Sequence, residues 1–68
     1  MLVRFAKLTP REKQVAVLVG RSLLNKQIAF ELGSAEKTIK LHRSRVMKKL
    51  HISSVPELVD LLRAIGTR

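Results

Sequence analysis

The sequence predicts an all-α domain of four helices that includes a helix-turn-helix. Three observations lead to this prediction: apolar residues recur at helical spacing, capping residues stand where each such segment begins, and no segment shows the alternation of a β-strand. The chain has 68 residues, enough for one small domain with a thin core. Because 46% of its residues are hydrophobic, the chain is too apolar for a disordered basic tail.

Four segments carry an apolar face at spacings of three and four residues. They are predicted as helices over about residues 10–20, 25–32, 35–50 and 55–65. Their inward residues are Val15, Leu18 and Val19 in the first, Ile28, Ala29 and Leu32 in the second, Ala35, Ile39, Val46 and Leu50 in the third, and Leu58, Leu61, Leu62 and Ile65 in the fourth. Little more than Gly33 and Ser34 separates the second helix from the third, which is the form of a helix-turn-helix.

Capping residues predict where the first three helices begin and end. Thr9-Pro10-Arg11-Glu12 combines a capping box with proline at the first helical position, where its missing N–H costs nothing. Asn25 is predicted to cap the second helix, and Gly33 to end it with left-handed backbone angles. Either Ser34 or Ala35 opens the third helix, and Ser34 is the better cap by its chemistry.

The two ends of the chain complete the domain organisation. Ser54 and Glu57 form a second capping box for the fourth helix, although Pro56 disfavours helical angles just before it, so the helix start can shift by one residue. Residues 1–7 are predicted as a linker or N-terminal extension, and residues 8–68 as the domain.

The charge of the chain predicts an anionic partner. Fourteen lysines and arginines against five aspartates and glutamates give a net charge of +9, an excess that most often accompanies nucleic-acid binding. Residues 34–50 contain six of these cations and one glutamate, a net +5. More than half of the excess therefore lies on the predicted third helix.

The cations of the third helix are predicted to face away from its apolar stripe. On a helical wheel centred on Ile39, the residues within about 40° of the opposite pole are Lys37, Leu41, Ser44 and Lys48, flanked by Lys40 and Arg45. Such a face suits the DNA major groove, since lysine donates to guanine, leucine contacts a thymine methyl and rim cations meet phosphates. The alternative is a merely solvated basic face, but the short helix and tight turn that precede it favour a docking unit.

The motifs of this chain resemble the LuxR-type helix-turn-helix domain. They are Leu8-Thr9-Pro10-Arg11-Glu12, Asn25-Lys26-Gln27-Ile28-Ala29, the run from Glu36 to Leu50, and Ser54 with Glu57-Leu58-Val59. The segment from His42 to Met47 is most similar to the FixJ-like response regulators, and the match covers about residues 8–65. The resemblance implies a sequence-specific, double-stranded-DNA-binding domain of a bacterial transcription regulator, usually the output half of a two-component response regulator and usually dimeric on DNA.

The resemblance also implies roles for single residues. Positions matching Lys40, Leu41 and Ser44 face bases in the family, and those matching Asn25, Lys26, Thr38 and Lys48 lie near phosphates. With the helical wheel added, the expected base contacts are Lys37, Lys40, Leu41 and Ser44, and the expected phosphate contacts are Asn25, Lys26, Thr38, Arg45 and Lys48. Val59 and Arg63 lie off the buried face of the fourth helix. Because the family pairs through this helix, they are the expected dimer contacts, and the alternative is that they only cover the edge of the core.

The sequence departs from the family pattern at three positions. Ser22 stands where the family usually has glycine, so either Gly20 ends the first helix early or Ser22 adopts left-handed angles. The family's usual cap before the recognition helix falls at Ala35, one residue after a serine. Ser44 replaces a long cation found in several relatives.

Other residues point away from catalysis and metal binding. The chain has no cysteine and one aspartate, and His42 and His51 are nine residues apart, so no zinc site or acid–base set is predicted, no cofactor is expected and the domain is not expected to be an enzyme. His42 is expected to pack and to be hydrogen-bonded nearby, and the alternative is a contact with DNA. The longest apolar run, Val15 to Val19, is far too short to span a membrane, and the cytoplasm is the default location.

Phe30 lies about 160° from the inward direction of its helix. It is expected either to stay on the surface or to pack against the N-terminal segment, and otherwise to contact a regulatory domain or RNA polymerase. The alternative to DNA binding is a helical protein-interaction module that uses its basic face and Phe30 to engage an acidic partner.

Overall fold

Five α-helices form the regular structure of residues 2–66, the part of the chain that the computed structural model describes. They are α1 (Leu2–Ala6), α2 (Pro10–Gly20), α3 (Asn25–Leu32), α4 (Glu36–Leu50) and α5 (Val55–Ala64). No strand occurs among these residues. The all-α prediction is therefore confirmed, with one helix more than the four that the sequence pattern indicated.

The additional helix, α1, lies within the segment predicted as a linker or N-terminal extension. Phe5 packs against the core, and its ring centroid lies 5.7 Å from Nζ of Lys13 on α2. The N–H of Leu8 donates to the carbonyl of Phe5 over 3.1 Å, and the Leu8 side chain is buried. A helix of five residues is too short to show an apolar period, which is why the pattern missed it.

The core lies where α2 packs against α4 and α5, with α3 placed against α4. Its fully buried large side chains are Val15, Ile28, Ile39, Val46, Leu50 and Leu58. All six belong to the apolar faces predicted from the sequence. At the end of α2, the Leu62 side chain fills the space into which a Cβ of residue 20 would project, so Gly20 lets α2 and α5 approach closely.

The capping box of α2 is confirmed. The Glu12 N–H donates to Oγ1 of Thr9 over 3.1 Å, and the Thr9 N–H donates to Oε1 of Glu12 over 2.9 Å, with Pro10 as the first helical residue. Gly33 ends α3 with φ of 61°, also as predicted. The loop after α2 decides between the two alternatives left open by the sequence: α2 runs through Gly20, and Ser22 is left-handed with φ of 68°.

One predicted cap is wrong, and at the start of α4 the structure selects Ala35, the second of the two alternatives. Leu24, not Asn25, is the cap of α3, because Oε1 of Gln27 accepts the Leu24 N–H over 2.8 Å and satisfies that donor without a side chain at the cap. Ser34 does not open α4: its N–H donates to the carbonyl of Ala29 over 2.8 Å and so completes the end of α3.

The last two helices differ slightly from their predicted bounds. α4 begins at Glu36 after Ala35 and ends at Leu50, followed by the capping residue His51, whose φ is 56°. Oγ of Ser54 accepts the Glu57 N–H over 3.3 Å, but the Glu57 carboxylate accepts from the N–H of Ser53 at 2.6 Å, so only half of the predicted capping box forms. α5 ends at Ala64 rather than at residue 65.

Candidate nucleic-acid interface

The helices α3 and α4 form the predicted helix-turn-helix, joined by residues 33–35. Ile28 and Ala29 bury the inner face of α3, and Ile39, Val46 and Leu50 bury one face of α4 almost completely. Because these buried residues extend along the length of α4, they fix its rotation about its own axis. The opposite face of α4 is therefore held outward by the core itself.

The outward face of α4 combines cations with an apolar side chain. Its exposed residues include Lys37, Lys40, Leu41, Ser44, Arg45 and Lys48. The structure thus brings the four expected base contacts onto one exposed surface. Leu41 is 50% exposed and stands among polar neighbours, while Thr38 is half-buried at the edge of the surface.

A groove runs between the start of α3 and the middle of α4. Its lining residues are Asn25, Lys40, Arg43, Ser44, Met47, Lys48 and Ile52. Three of these are cations and none is a carboxylate. Two expected phosphate contacts, Asn25 and Lys48, therefore meet two expected base contacts, Lys40 and Ser44, in one groove. Lys26, Lys37, Thr38, Leu41 and Arg45 lie outside its lining.

Two cations of α4 are bound to other parts of the domain. Nζ of Lys49 lies 2.8 Å from Oε1 of Glu12 on α2. Nη1 of Arg43 donates to Oδ1 of Asn25 on α3 over 3.2 Å. Two of the six cations in residues 34–50 are therefore bound within the domain. The exposed ones lie on the outward face of α4.

The sequence profile described as GerE, bacterial regulatory proteins, luxR family, matches residues 6–62. The chain belongs to the luxR family. Nodulation protein W of Bradyrhizobium diazoefficiens is 45% identical to it over 62 residues, which are 91% of this chain and 27% of that protein. Among solved structures, the response regulator StyR superposes with a TM-score of 0.87 and 51% identity over 90% of this chain and 31% of its own.

FixJ from B. japonicum superposes with a TM-score of 0.85 and 40% identity, covering 96% of this chain and 32% of FixJ. This luxR-family chain spans about a quarter to a third of the length of the three relatives. As a member of the family it is a DNA-binding domain that acts in transcription regulation. The predicted resemblance is confirmed.

The residue of the luxR-family domain that sequence reasoning missed is Arg43. It lies about 40° from Ile39 on the helical wheel, at the edge of the buried stripe, and is half-buried. A cation at the edge of a buried face needs a hydrogen-bonding partner, and this need is the feature of the sequence that could have identified Arg43. The partner could not be predicted, because Asn25 belongs to another helix.

His42 is half-buried, and its Nδ1 is shielded from solvent. No described residue hydrogen-bonds to this nitrogen, so the expected hydrogen bond is wrong. Among residues 2–66, no three His, Cys, Asp or Glu side chains lie close enough together to hold a metal ion.

Three residues singled out by the sequence lie away from the groove of the luxR-family domain. Val59 is half-buried and Arg63 exposed, and both lie off the face that α5 buries. Phe30 is 88% exposed, so it remains on the surface, and Phe5 is the aromatic residue that packs at the N-terminal end. In the described part of the chain, no helix has the length and apolar character needed to cross a bilayer.

Proposed function

We propose that this luxR-family domain is the output domain of a cytoplasmic two-component response regulator and that it inserts α4 into the major groove of DNA. Its relatives StyR and FixJ support this assignment, since StyR is described as a response regulator and both contain a matching domain. The domain itself acts by binding, without catalysis. Its role in the regulator is to select the DNA sites at which transcription changes.

The outward face of α4 is the observation that carries the proposal. It presents lysine donors, a hydroxyl and an apolar side chain together, and these are the chemistries that distinguish base edges in the major groove. A merely solvated basic face would gain nothing from Leu41, which is half exposed. The buried opposite face holds this surface in place before DNA is bound.

The residues divide between bases and backbone. We assign Lys37, Lys40, Leu41 and Ser44 to base edges, and Asn25, Lys26, Thr38, Arg45 and Lys48 to phosphates. The assignment is supported by position. The first group lies on the outward face of α4, whereas Asn25 and Lys26 lie at the start of α3, Thr38 at the edge of that face, and Arg45 and Lys48 toward the C-terminal end of α4. Phosphate contacts fix the register of the protein on DNA, and base contacts specify the sequence.

Titration of selected and random DNA duplexes over a range of salt concentrations tests the proposal. Selected sites from a random pool are expected to bind at least a thousandfold more tightly than random DNA. Leu41→Ala is expected to reduce this ratio, whereas the matched variant Phe30→Ala, which removes an exposed apolar residue from α3, leaves it unchanged. Equal affinity for all sequences at every salt concentration would contradict specific recognition and favour general binding of anions.

Pairing on DNA is a second part of the proposal. We assign the dimer contact to Val59 and Arg63, which α5 leaves outside its buried face. Val59→Asp is expected to weaken binding to a two-half-site duplex while leaving binding to a single half-site unchanged. Equal loss on both duplexes would remove α5 from the dimer contact.

Phe30 supports a separate protein contact, because an 88%-exposed aromatic side chain is placed on α3 outside the groove. We assign it to a regulatory domain or to RNA polymerase. Phe30→Ser is expected to change transcription from a target promoter without changing DNA affinity. A parallel loss of DNA affinity would place Phe30 in the DNA interface instead.

The alternative function, a protein-interaction module, has its own test. It would be favoured if the chain failed to bind any DNA but retained an acidic protein at moderate salt.

A further inference from the structure

The two helices of the helix-turn-helix are joined by one side-chain hydrogen bond across the groove. Nη1 of Arg43 on α4 donates to Oδ1 of Asn25, the first residue of α3, over 3.2 Å. Both side chains are half-buried, and both line the groove with Lys40 and Lys48. Arg43 is therefore held against α3 rather than extended into solvent.

This hydrogen bond determines the orientation of the Asn25 amide. A guanidinium group only donates hydrogen bonds, so the amide oxygen has to face Arg43 and the Nδ2 group has to point away from it. No described residue accepts a hydrogen bond from Nδ2 of Asn25. The amide thus offers two free donors on the side opposite Arg43.

The ligand that fits these donors is an anion without donors of its own. A backbone phosphate diester only accepts hydrogen bonds, so it binds the amide NH₂ and is repelled by the amide oxygen. The groove carries Lys40 and Lys48 beside Asn25 and has no carboxylate in its lining. It is also continuous with the outward face of α4, so a DNA strand following that face passes over it.

We propose that Arg43 is a positioning residue for DNA binding: it holds the Asn25 amide with Nδ2 directed at a backbone phosphate. The inference rests on the proposed DNA-binding function. Without Arg43, the amide rotates freely about its last side-chain bond and presents its oxygen to the phosphate part of the time. Arg43 therefore acts through Asn25, and not mainly through its own charge.

A double-mutant cycle in DNA affinity tests this role. Arg43→Met and Asn25→Ala are each expected to weaken binding about tenfold, the effect of losing one hydrogen bond to a charged group. The double variant is expected to lose little more than either single variant, because the same contact is lost in all three. If the two substitutions acted independently, the double variant would bind DNA about a hundredfold more weakly. Its smaller loss is expected to remain as the salt concentration is raised, because salt screens the long-range effect of the missing Arg43 charge but does not restore the lost contact.

Two further measurements separate positioning from a purely structural role. All affinities are measured at a temperature well below the thermal midpoint of every variant, so that each is folded. Arg43→Lys, which keeps a donor on a long side chain, is expected to recover part of the affinity. In the free domain, ¹⁵N relaxation of the Asn25 side-chain NH₂ signals is expected to give a lower order parameter in Arg43→Met than in the unchanged chain, because the amide begins to rotate.

Each outcome decides one of the two proposals. A hundredfold loss in the double variant, or an Arg43→Met variant that binds DNA as the unchanged chain does, overturns the positioning role and leaves the DNA-binding function intact. An unchanged order parameter of the Asn25 NH₂ group in Arg43→Met also overturns it. A chain that binds no DNA duplex overturns the proposed function, and the positioning role with it.

Discussion

Nζ of Lys49 lies 2.8 Å from Oε1 of Glu12, so the last turn of α4 is joined to the first turn of α2. The Glu12 side chain is 3% exposed and that of Lys49 is 37% exposed. The same carboxylate oxygen accepts the N–H of Thr9 over 2.9 Å, so one buried acid both caps α2 and holds α4. The helix proposed to enter DNA is therefore fixed to the core by a charge pair as well as by its apolar stripe.

Loss of Lys49 is expected to destabilise the domain. Lys49→Met leaves a buried carboxylate without its cation, and we expect the free energy of unfolding to fall by about 1–2 kcal/mol, with the partial exposure of Lys49 keeping the loss moderate. Denaturant unfolding measures it. Lys48→Met, the exposed neighbour, is the control and is expected to change stability by less than about 0.5 kcal/mol. Equal losses in the two variants would show that the pair contributes nothing specific.

The Glu12–Lys49 pair also predicts how stability depends on pH. Hydrogen bonds, first from Lys49 and then from the Thr9 N–H, hold the pKa of Glu12 below its ordinary value of 4.5. Since the folded pKa is the lower one, the stabilisation is complete above pH 4.5 and is lost as the pH falls through the folded value. Unfolding followed from pH 7 to pH 2 is expected to show this loss.

The matched variants are Glu12→Gln and Glu36→Gln. Glu12→Gln removes the titrating group, so its stability is expected to change less with pH than that of the unchanged chain. Glu36 is exposed in the first turn of α4, and its replacement is expected to leave the pH dependence nearly unchanged. The same acid dependence in Glu12→Gln as in the unchanged chain would contradict the prediction.

The helices from α2 to α5 could be predicted from the sequence because their signals are local. The Thr9–Glu12 box, the proline after Thr9 and the left-handed Gly33 each act within a few residues. The Ser34 cap failed for an equally local reason, since the N–H of Ser34 is used to finish the preceding helix. Local rules work until two adjacent helices compete for the same residue.

The parts of the site that the sequence could not predict are contacts between helices. A helical wheel gives the direction of a side chain but not its neighbour, so Arg43 and Lys49 counted only as charges of α4. Their partners, Asn25 and Glu12, lie 18 and 37 residues away. Only the packing of α4 against α2 and α3 brings these groups together.

His51 is a position where glycine is expected to stabilise the fold. It ends α4 with φ of 56°, a left-handed conformation that costs a residue with a Cβ about 1–2 kcal/mol. His51→Gly removes that cost but adds freedom to the unfolded chain, so we expect a net gain of about 0.5–1 kcal/mol in the free energy of unfolding. Thermal or denaturant unfolding measures the change.

The opposite substitution at the end of α3 is the control. A Cβ at Gly33 meets no atom within 4 Å, so Gly33→Ala tests the left-handed backbone alone. We expect it to lose about 1 kcal/mol. A loss of stability in His51→Gly would show that the imidazole makes a contact worth more than the backbone relief.

Lys40 and Lys48 lie in the same groove but are expected to act differently on DNA. Lys40, assigned to a base, gives sequence discrimination, so Lys40→Ala is expected to bring selected and random DNA closer in affinity by about 1–3 kcal/mol. Lys48, assigned to a phosphate, gives affinity alone. Lys48→Ala is expected to weaken binding to all sequences and to lower the slope of log affinity against log salt by about one unit. Both variants lose one exposed lysine, so each is the control for the change in net charge of the other. Identical behaviour of the two variants would refute the division between base and phosphate contacts.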